Sequence, residues 1–345
     1  MRVIALLTVI ALVIVAAYMT IVLPRAQARL LEAPDASPGA ASVVFVVKSG
    51  QTAGQIARAL EEAELIRSAK AFQAMLKRKD WGTKLKPGVY RLERSQNAEQ
   101  IARQMVNQET WRIRVSIPEG LTLKQIAQKI EKAGAALTGG PHLPSAAEIR
   151  KAATAQAVER RLGATIPTPT AEGYLFPATY EFPAGASASE VVDEMLTAFR
   201  DRFLSRNQDA IERSGRSLHE IVTLAAIVER EAAADKERPL VARVFLNRID
   251  IGMKLESCAT VQYALGGHKA RLLYEDLKVD SPYNTYMHRG LPPGPICSPG
   301  EASLLAALKP GETDALYFVS RNDGTHAFSR TFAEHQRAIN QIRSR

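Results

Sequence analysis

The sequence is poor in the residues that carry metal and redox chemistry. Its 345 residues include two cysteines, Cys258 and Cys297, and six histidines. Two cysteines cannot build a disulfide framework or a zinc ribbon; they can form one disulfide in an oxidising compartment or stay as two free thiols in a reducing one. His219-Glu220 opens a metal-like pair, but the fourth position after His219 is Thr223, so the zinc-binding H-E-x-x-H pattern is absent. No G-x-S-x-G marks a serine nucleophile. Long Lys/Arg runs are also missing, although Lys and Arg outnumber Asp and Glu by 45 to 36. A scattered net charge of +9 suits an anionic membrane surface or wall polymer better than nucleic acid, and no nucleic-acid partner is expected. With 23% charged and 46% hydrophobic residues, the chain reads as globular and long enough for two domains.

Charge is absent altogether from Val3 to Leu23, where Ile, Leu, Val and Ala dominate. About twenty apolar residues at ~1.5 Å rise match a hydrocarbon core of roughly 30 Å. Pro24 reads as a stop for this helix. Ala26 and Ala28 form an A-x-A pattern, yet the apolar core of a cleaved signal peptide is usually only about 7–15 residues, so an uncleaved anchor is expected. Arg2 favours a cytoplasmic start while Arg25 and Arg29 pull the other way; the short N-terminal tail and the chemistry downstream favour N-in, C-out. The expected divisions are a cytoplasmic N-terminus and transmembrane anchor over 1–24, then a linker over 25–41. Within that linker and its flank, Ala33 to Ser42 reads as a flexible spacer.

One clause recurs beyond the spacer. Val43 to Lys48 reads as a strand, followed by Ser49-Gly50-Gln51-Thr52 and a helix containing Ile56, Ala57 and Leu60. The clause returns at Val115 to Ile117 with Pro118-Glu119-Gly120-Leu121-Thr122 and Ile126, Ala127 and Ile130. Looser copies are Tyr180 to Phe182 before Ser187 and Val191, and Tyr90 to Leu92 before Asn97 and Ile101. Each copy reads strand, Gly-bearing turn, hydroxyl helix cap, amphipathic helix, because Thr or Ser accepts a bond from the helix's orphan amides. The first resembles the opening of a LysM-type glycan-binding module, with Leu85 to Tyr90 as its return strand, and a module is expected over 42–108. A connecting segment over 109–170 follows; its part from Thr138 to Thr170 reads as a variable insertion with a helical patch from Ala146 to Leu162. The main domain would occupy 171–345. The fold class expected is α+β: an N-terminal transmembrane helix, a small LysM-like α/β module and a larger α+β catalytic domain.

In that domain the informative helix starts near Ser217, which with Glu220 fits a capping box. On a 3.6-residue period Glu229 shares a face with Val222, Ala225, Ala226, Ala232 and Ala233. A carboxyl on an apolar stripe is disfavoured as a charge, which suits a general acid, and small neighbours leave room for a bulky substrate. The same spacing also fits a structural glutamate paired with an arginine such as Arg230 or Arg243.

Around this helix stand Glu172-Gly173-Tyr174-Leu175-Phe176-Pro177, Ala259-Thr260-Val261-Gln262-Tyr263, Ser281-Pro282-Tyr283-Asn284-Thr285-Tyr286, Gly290-Leu291-Pro292-Pro293-Gly294-Pro295-Ile296 and Ser298-Pro299-Gly300. In this order they resemble the endolytic murein transglycosylases of the YceG/MltG family. The resemblance implies cleavage of peptidoglycan glycan strands outside the cytoplasmic (inner) membrane, and it puts the catalytic glutamate at Glu229, with Glu231 at the second acidic position of the motif. It also implies association with peptidoglycan synthases. Two departures from the family pattern are Cys258-Ala259 ahead of Thr260-Val261, and Cys297 itself; both cysteines fall near the presumed cleft, which makes a Cys258–Cys297 disulfide plausible. Candidate substrate-holding residues are Glu172, Glu231, Gln262, Tyr283, Asn284 and Thr285, because aromatic faces and amide, hydroxyl or carboxyl groups suit sugars. No cofactor or metal is expected, since a lytic reaction uses the substrate's own hydroxyl as nucleophile. Two rival readings are a non-catalytic glycan-binding envelope scaffold and a muramidase that releases reducing ends.

Overall fold

The computed structural model describes residues 2–37, 41–135, 142–232, 234–267 and 269–344. Residues 38–40 of the expected spacer, Ala233 of the Glu229 face and residues 136–141, which straddle the head of the expected insertion, lie outside the described residues.

The N-terminal segment is helical beyond the expected stop. α1 (Arg2–Ala17) leads into a π-helical turn (Tyr18–Val22) and then α2 (Leu23–Arg29). Pro24 does not end the helix, because it falls in the first turn of α2, where a missing N–H costs little, and the π turn before it closes with a bond from Leu23 N–H to Tyr18 O. Residues Ile10–Arg29 are long and apolar enough to cross a bilayer, with none of that stretch buried.

The rest of the chain forms two compact units. The first comprises the described residues up to Ile113 with His142 and Phe182–Gly185. In it β1 (Ser42–Val47), α3 (Ala53–Glu62), α4 (Ala69–Arg78), β2 (Gly88–Glu93) and α5 (Ala98–Val106) follow in order. β1 and β2 pair antiparallel, with Val43 opposite Leu92 and Phe45 opposite Tyr90. Their inner faces share one core with Ile56 and Leu60 of α3, Phe72 of α4 and Ile101 of α5. Alternation in the strands and 3.6-residue spacing in the helices aim these side chains inward.

The second unit comprises Arg114–Ala135, Leu143–Glu181 and Ala186–Arg345, so the second copy of the clause and, from Leu143 on, the segment read as an insertion belong to it. β3 (Arg112–Ser116) precedes α6 (Leu123–Ala135), α7 (Ala146–Ala152) and α8 (Ala155–Leu162), and β4 (Thr179–Pro183) returns to pair with β3. α7 and α8 are packed rather than loose: Ile149, Ala153 and Val158 are fully buried, and Arg160 and Arg161 both hold Asp193 of α9 (Ala188–Phe199). After α10 (Ser205–Arg213) come α11 (Leu218–Glu231), α12 (Arg238–Asp250), α13 (Cys258–Ala264) and α14 (Glu301–Leu308). The hairpin β5 (Tyr317–Ser320) and β6 (His326–Ser329), then α15 (Phe332–Arg343), complete the unit.

All four copies of the recurring clause fold as strand, turn and capped helix, with an amide at Asn97 in place of the expected hydroxyl. Thr52, Asn97 and Ser187 cap α3, α5 and α9 with reciprocal capping boxes, and Thr122 and Gln125 exchange the same bonds ahead of α6. Ser217 and Glu220 do so for α11. That helix is the centre of the unit: every residue from Ile221 to Val228 is buried, with α12, α13 and α14 packed against it.

Candidate active site

Glu229 lies in the last turn of α11, and its side chain is only 7% exposed. The chain then reverses through a short 3-10 turn (Asp235–Glu237) and re-enters as α12, whose first residue is Arg238. Arg238 Nη1 stands 3.2 Å from Glu229 Oε1. The pairing arginine is therefore neither Arg230 nor Arg243. Arg238 is itself held by Asp235 at 2.9 Å and by the Ser303 hydroxyl. The second oxygen, Oε2, accepts the N–H of Gly300 at 2.9 Å. Gly300 is the N-cap of α14, where a backbone amide has no helical acceptor and a partial positive charge favours a carboxylate.

The expected open face beside Glu229 is not there. Val222, Ala225 and Ala226 are completely buried, and α14 packs along α11. Room for a substrate is found instead past Gly120 and Arg230, in a cavity whose wall does not include Glu229 itself. A cavity of about 550 Å³ is lined by Gly120, Thr122, Lys124, Gln125 and Gln128, by Glu172 and Arg230, and by Gln262, Tyr263 and Ile296. Gly120 joins this cavity to Glu229: a Cβ there would lie 3.6 Å from Arg230 Nη1 and 3.8 Å from Glu229 Cγ, and the residue sits at φ +77°. Paired bonds, Gly120 N–H to Ser298 O at 2.9 Å and Ser298 N–H to Leu121 O at 2.8 Å, fasten the Pro118-Glu119-Gly120 turn to the segment ahead of α14.

The expected site residues divide into two groups. Glu172 and Gln262 line the cavity, and Tyr283, half-buried, packs at a tilt against the cavity residue Tyr263 with ring centroids 4.9 Å apart. Glu172 accepts from Leu123 N–H at 2.9 Å and from the Tyr263 hydroxyl at 3.3 Å. Burial pushes its carboxyl up to about 7, against the pull of those donors.

Glu231, Asn284 and Thr285 are not brought to the cavity lining; their polar atoms bond to the protein's own groups. Glu231 Oε1 takes a 2.6 Å bond from the Ser257 hydroxyl ahead of α13, and burial pushes its carboxyl up. Asn284 is wholly buried; its amide donates to Leu277 O and Val279 O, both at 2.9 Å, and its oxygen accepts Tyr286 N–H. Thr285 Oγ1 accepts Ser257 N–H at 3.0 Å and meets Thr260 Oγ1 at 2.8 Å. These groups knit the 281–286 loop to α13.

The disulfide is likewise absent. Cys258 is exposed with Sγ 3.2 Å from the Tyr286 hydroxyl, whereas Cys297 is buried with its thiol on Ala226 O. Each sulfur is turned to its own partner, and burial pushes the Cys297 thiol up. Among the described residues no group of three or more His, Cys, Asp and Glu side chains is gathered as a metal site.

Four parts of this corner were not singled out from sequence: Arg238, Glu119, Gly300 and the Lys124–Gln128 edge of α6. The signal for Glu119 and Gly300 was present in the Pro-Glu-Gly and Ser-Pro-Gly strings, each a turn with no generic core role.

With this arrangement in view, the family model described as YceG-like matches residues 45–341. The chain belongs to the YceG-like family. It is 33% identical over 301 residues to a Bacillus subtilis protein named endolytic murein transglycosylase, covering 85% of this chain and 82% of that one. A Streptococcus pneumoniae protein of the same name is 31% identical over 319 residues, with 86% of this chain matching 58% of that longer protein. The crystal structure of a YceG-like protein from Listeria monocytogenes superposes with a TM-score of 0.58 at 34% identity, over 86% of this chain and 98% of that one.

Proposed function

We propose that this YceG-like protein is an endolytic peptidoglycan lytic transglycosylase that cuts the bond between N-acetylmuramic acid and N-acetylglucosamine, leaving 1,6-anhydro ends. The observation that carries the reading is Glu229: a buried carboxyl with one cation and one amide as partners, beside a cavity of about 550 Å³ rich in amide, hydroxyl and charged groups. Two relatives named for that activity support it.

Glu229, protonated, gives its proton to the glycosidic oxygen as the bond to the muramic C1 breaks. The muramic C6 hydroxyl then attacks C1, forming the C1–O6 bond, and the Glu229 carboxylate takes the hydroxyl proton. The proton returns to its donor, so the step needs no water, and intramolecular attack gains the advantage of high effective molarity. Glu172 and Gln262 line the sugar cavity, and Tyr263, backed by Tyr283, gives it an aromatic face.

The helical segment Ile10–Arg29 serves as a single membrane anchor in the bacterial cytoplasmic membrane, with the folded units on the outer face. The β1–α3–α4–β2 unit serves as a LysM-like glycan-holding module, and nascent strands emerging from peptidoglycan synthases are the substrate this tethering suits.

The test is the full-length chain in detergent, incubated with purified peptidoglycan, with Glu229→Gln in parallel and mass spectrometry of the soluble fragments. Anhydro-ended products from the wild type alone are expected. Reducing ends would replace the intramolecular mechanism with hydrolysis, and no cleavage by either protein would make the chain a glycan-binding scaffold.

A further inference from the structure

Resting on that reading, we propose that Glu119 is a positioning residue for Glu229: its carboxyl lies against the glycine whose amide holds Glu229, and its charge sets how readily Glu229 gives and regains the proton of the reaction. Gly300 is where they meet. Its N–H binds Glu229 Oε2 at 2.9 Å, while a Cβ built on its Cα would fall 1.9 Å from Glu119 Oε1. The Glu119 carboxyl thus lies in the space a side chain at 300 would need. The turn that carries it is fixed by the Gly120–Ser298 and Ser298–Leu121 bonds, so this approach is built into the backbone.

The charged groups around Glu119 are Glu229 and Arg230 from α11, Asp235 from the 3-10 turn and Arg238 from the start of α12. Arg238 gives its guanidinium to Glu229, Asp235 and Ser303, which leaves Glu119 as the carboxyl of this corner with no cation bonded to it in the described contacts. Partial burial, then the neighbouring Glu229, raise its pKa. A like charge beside a carboxyl favours its protonated form, and the protonated acid is the form in which the reaction starts. Glu229 then protonates the leaving oxygen, and the proton taken from the C6 hydroxyl restores it with none consumed.

The experiment compares full-length wild type, Glu119→Gln, Glu119→Asp, Gly300→Ala and Glu229→Gln on purified glycan strands, recording kcat, KM and the pH profile. Gly300 has φ −75°, so alanine is backbone-compatible and its methyl displaces the Glu119 carboxyl while keeping the N–H bond to Glu229. Glu119→Gln and Gly300→Ala are expected to lower kcat by about tenfold or more, leave KM within about twofold, and move or remove one limb of the pH profile, with Glu119→Asp partly restoring both. Retention of kcat by Glu119→Gln overturns the proposal. So does a loss of kcat whose pH profile matches the wild type, because that is the signature of a structural role. Undiminished cleavage by Glu229→Gln instead overturns the functional reading itself.

Discussion

Arg238 Nη1 and Glu229 Oε1 are 3.2 Å apart, with side chains only 8% and 7% exposed, at the point where α11 ends and α12 begins. A buried pair of this kind is informative mainly through what happens when one partner is removed. Arg238→Gln should therefore destabilise the second unit by about 3–5 kcal/mol, leaving a buried carboxylate without its cation. Urea unfolding measures this. Adding Glu229→Gln in the same chain should recover part of the loss, and strict additivity of the two substitutions would show that the pair is not coupled.

Glu172 makes stability depend on pH in the direction opposite to a salt-bridged carboxylate. Its folded-state pKa of about 7 lies above the ordinary 4.5, so the folded protein holds a proton that the unfolded chain has released. The contribution is whole below about pH 4.5, falls as pH rises, and is fully lost above about 7, a difference of roughly 3 kcal/mol. Glu172→Gln should flatten this slope. Denaturant midpoints at pH 5 and pH 8, wild type against variant, give the comparison; equal slopes would place Glu172 in a more solvated setting than the cavity wall.

Asn284→Ala should act on the fold and not on sugar binding. The substitution removes two donors from the carbonyls of Leu277 and Val279 inside a closed loop, at about 1–3 kcal/mol for each buried group left unpaired. A lower melting temperature with unchanged KM in the remaining folded enzyme is expected. A raised KM at full stability would return Asn284 to the substrate.

The two thiols should differ in reactivity. Cys258 is exposed and Cys297 is buried with its thiol on Ala226 O. Under native conditions one maleimide equivalent should add quickly and the second only on unfolding. Mass spectrometry after mild oxidation should show no internal disulfide.

The features readable from the sequence were those whose partners are three or four residues apart. Ser217 with Glu220 disclosed a helix start because both halves of a capping box lie in one turn, and Thr52 marked the start of α3 by its cap position. Glu229 could be nominated because helical spacing alone sets it among Val222 and the alanines. Its partners could not: Arg238 comes into reach only through the chain reversal at Asp235–Glu237, and Gly300 only through the docking of α14. Asn284 and Thr285 misled for a related reason. An amide or hydroxyl in a Tyr- and Pro-rich loop looks the same in sequence whether it faces a sugar or satisfies the loop's own carbonyls. The alanine stripe was misjudged similarly, since small side chains admit either a ligand or a closely packed helix, and here α14 takes the space.

Because α11 is enclosed along Ile221–Val228, the residue at its end is an anvil and not a moving part. Re-engineering the protein toward a different glycan would gain little from that helix, where each larger side chain meets a filled core. The tolerant ground is the cavity's other wall, the exposed Lys124, Gln125 and Gln128 on α6 and the exposed glycines that follow α13, where a library of variants can reshape the cavity without disturbing Glu229 and its partners.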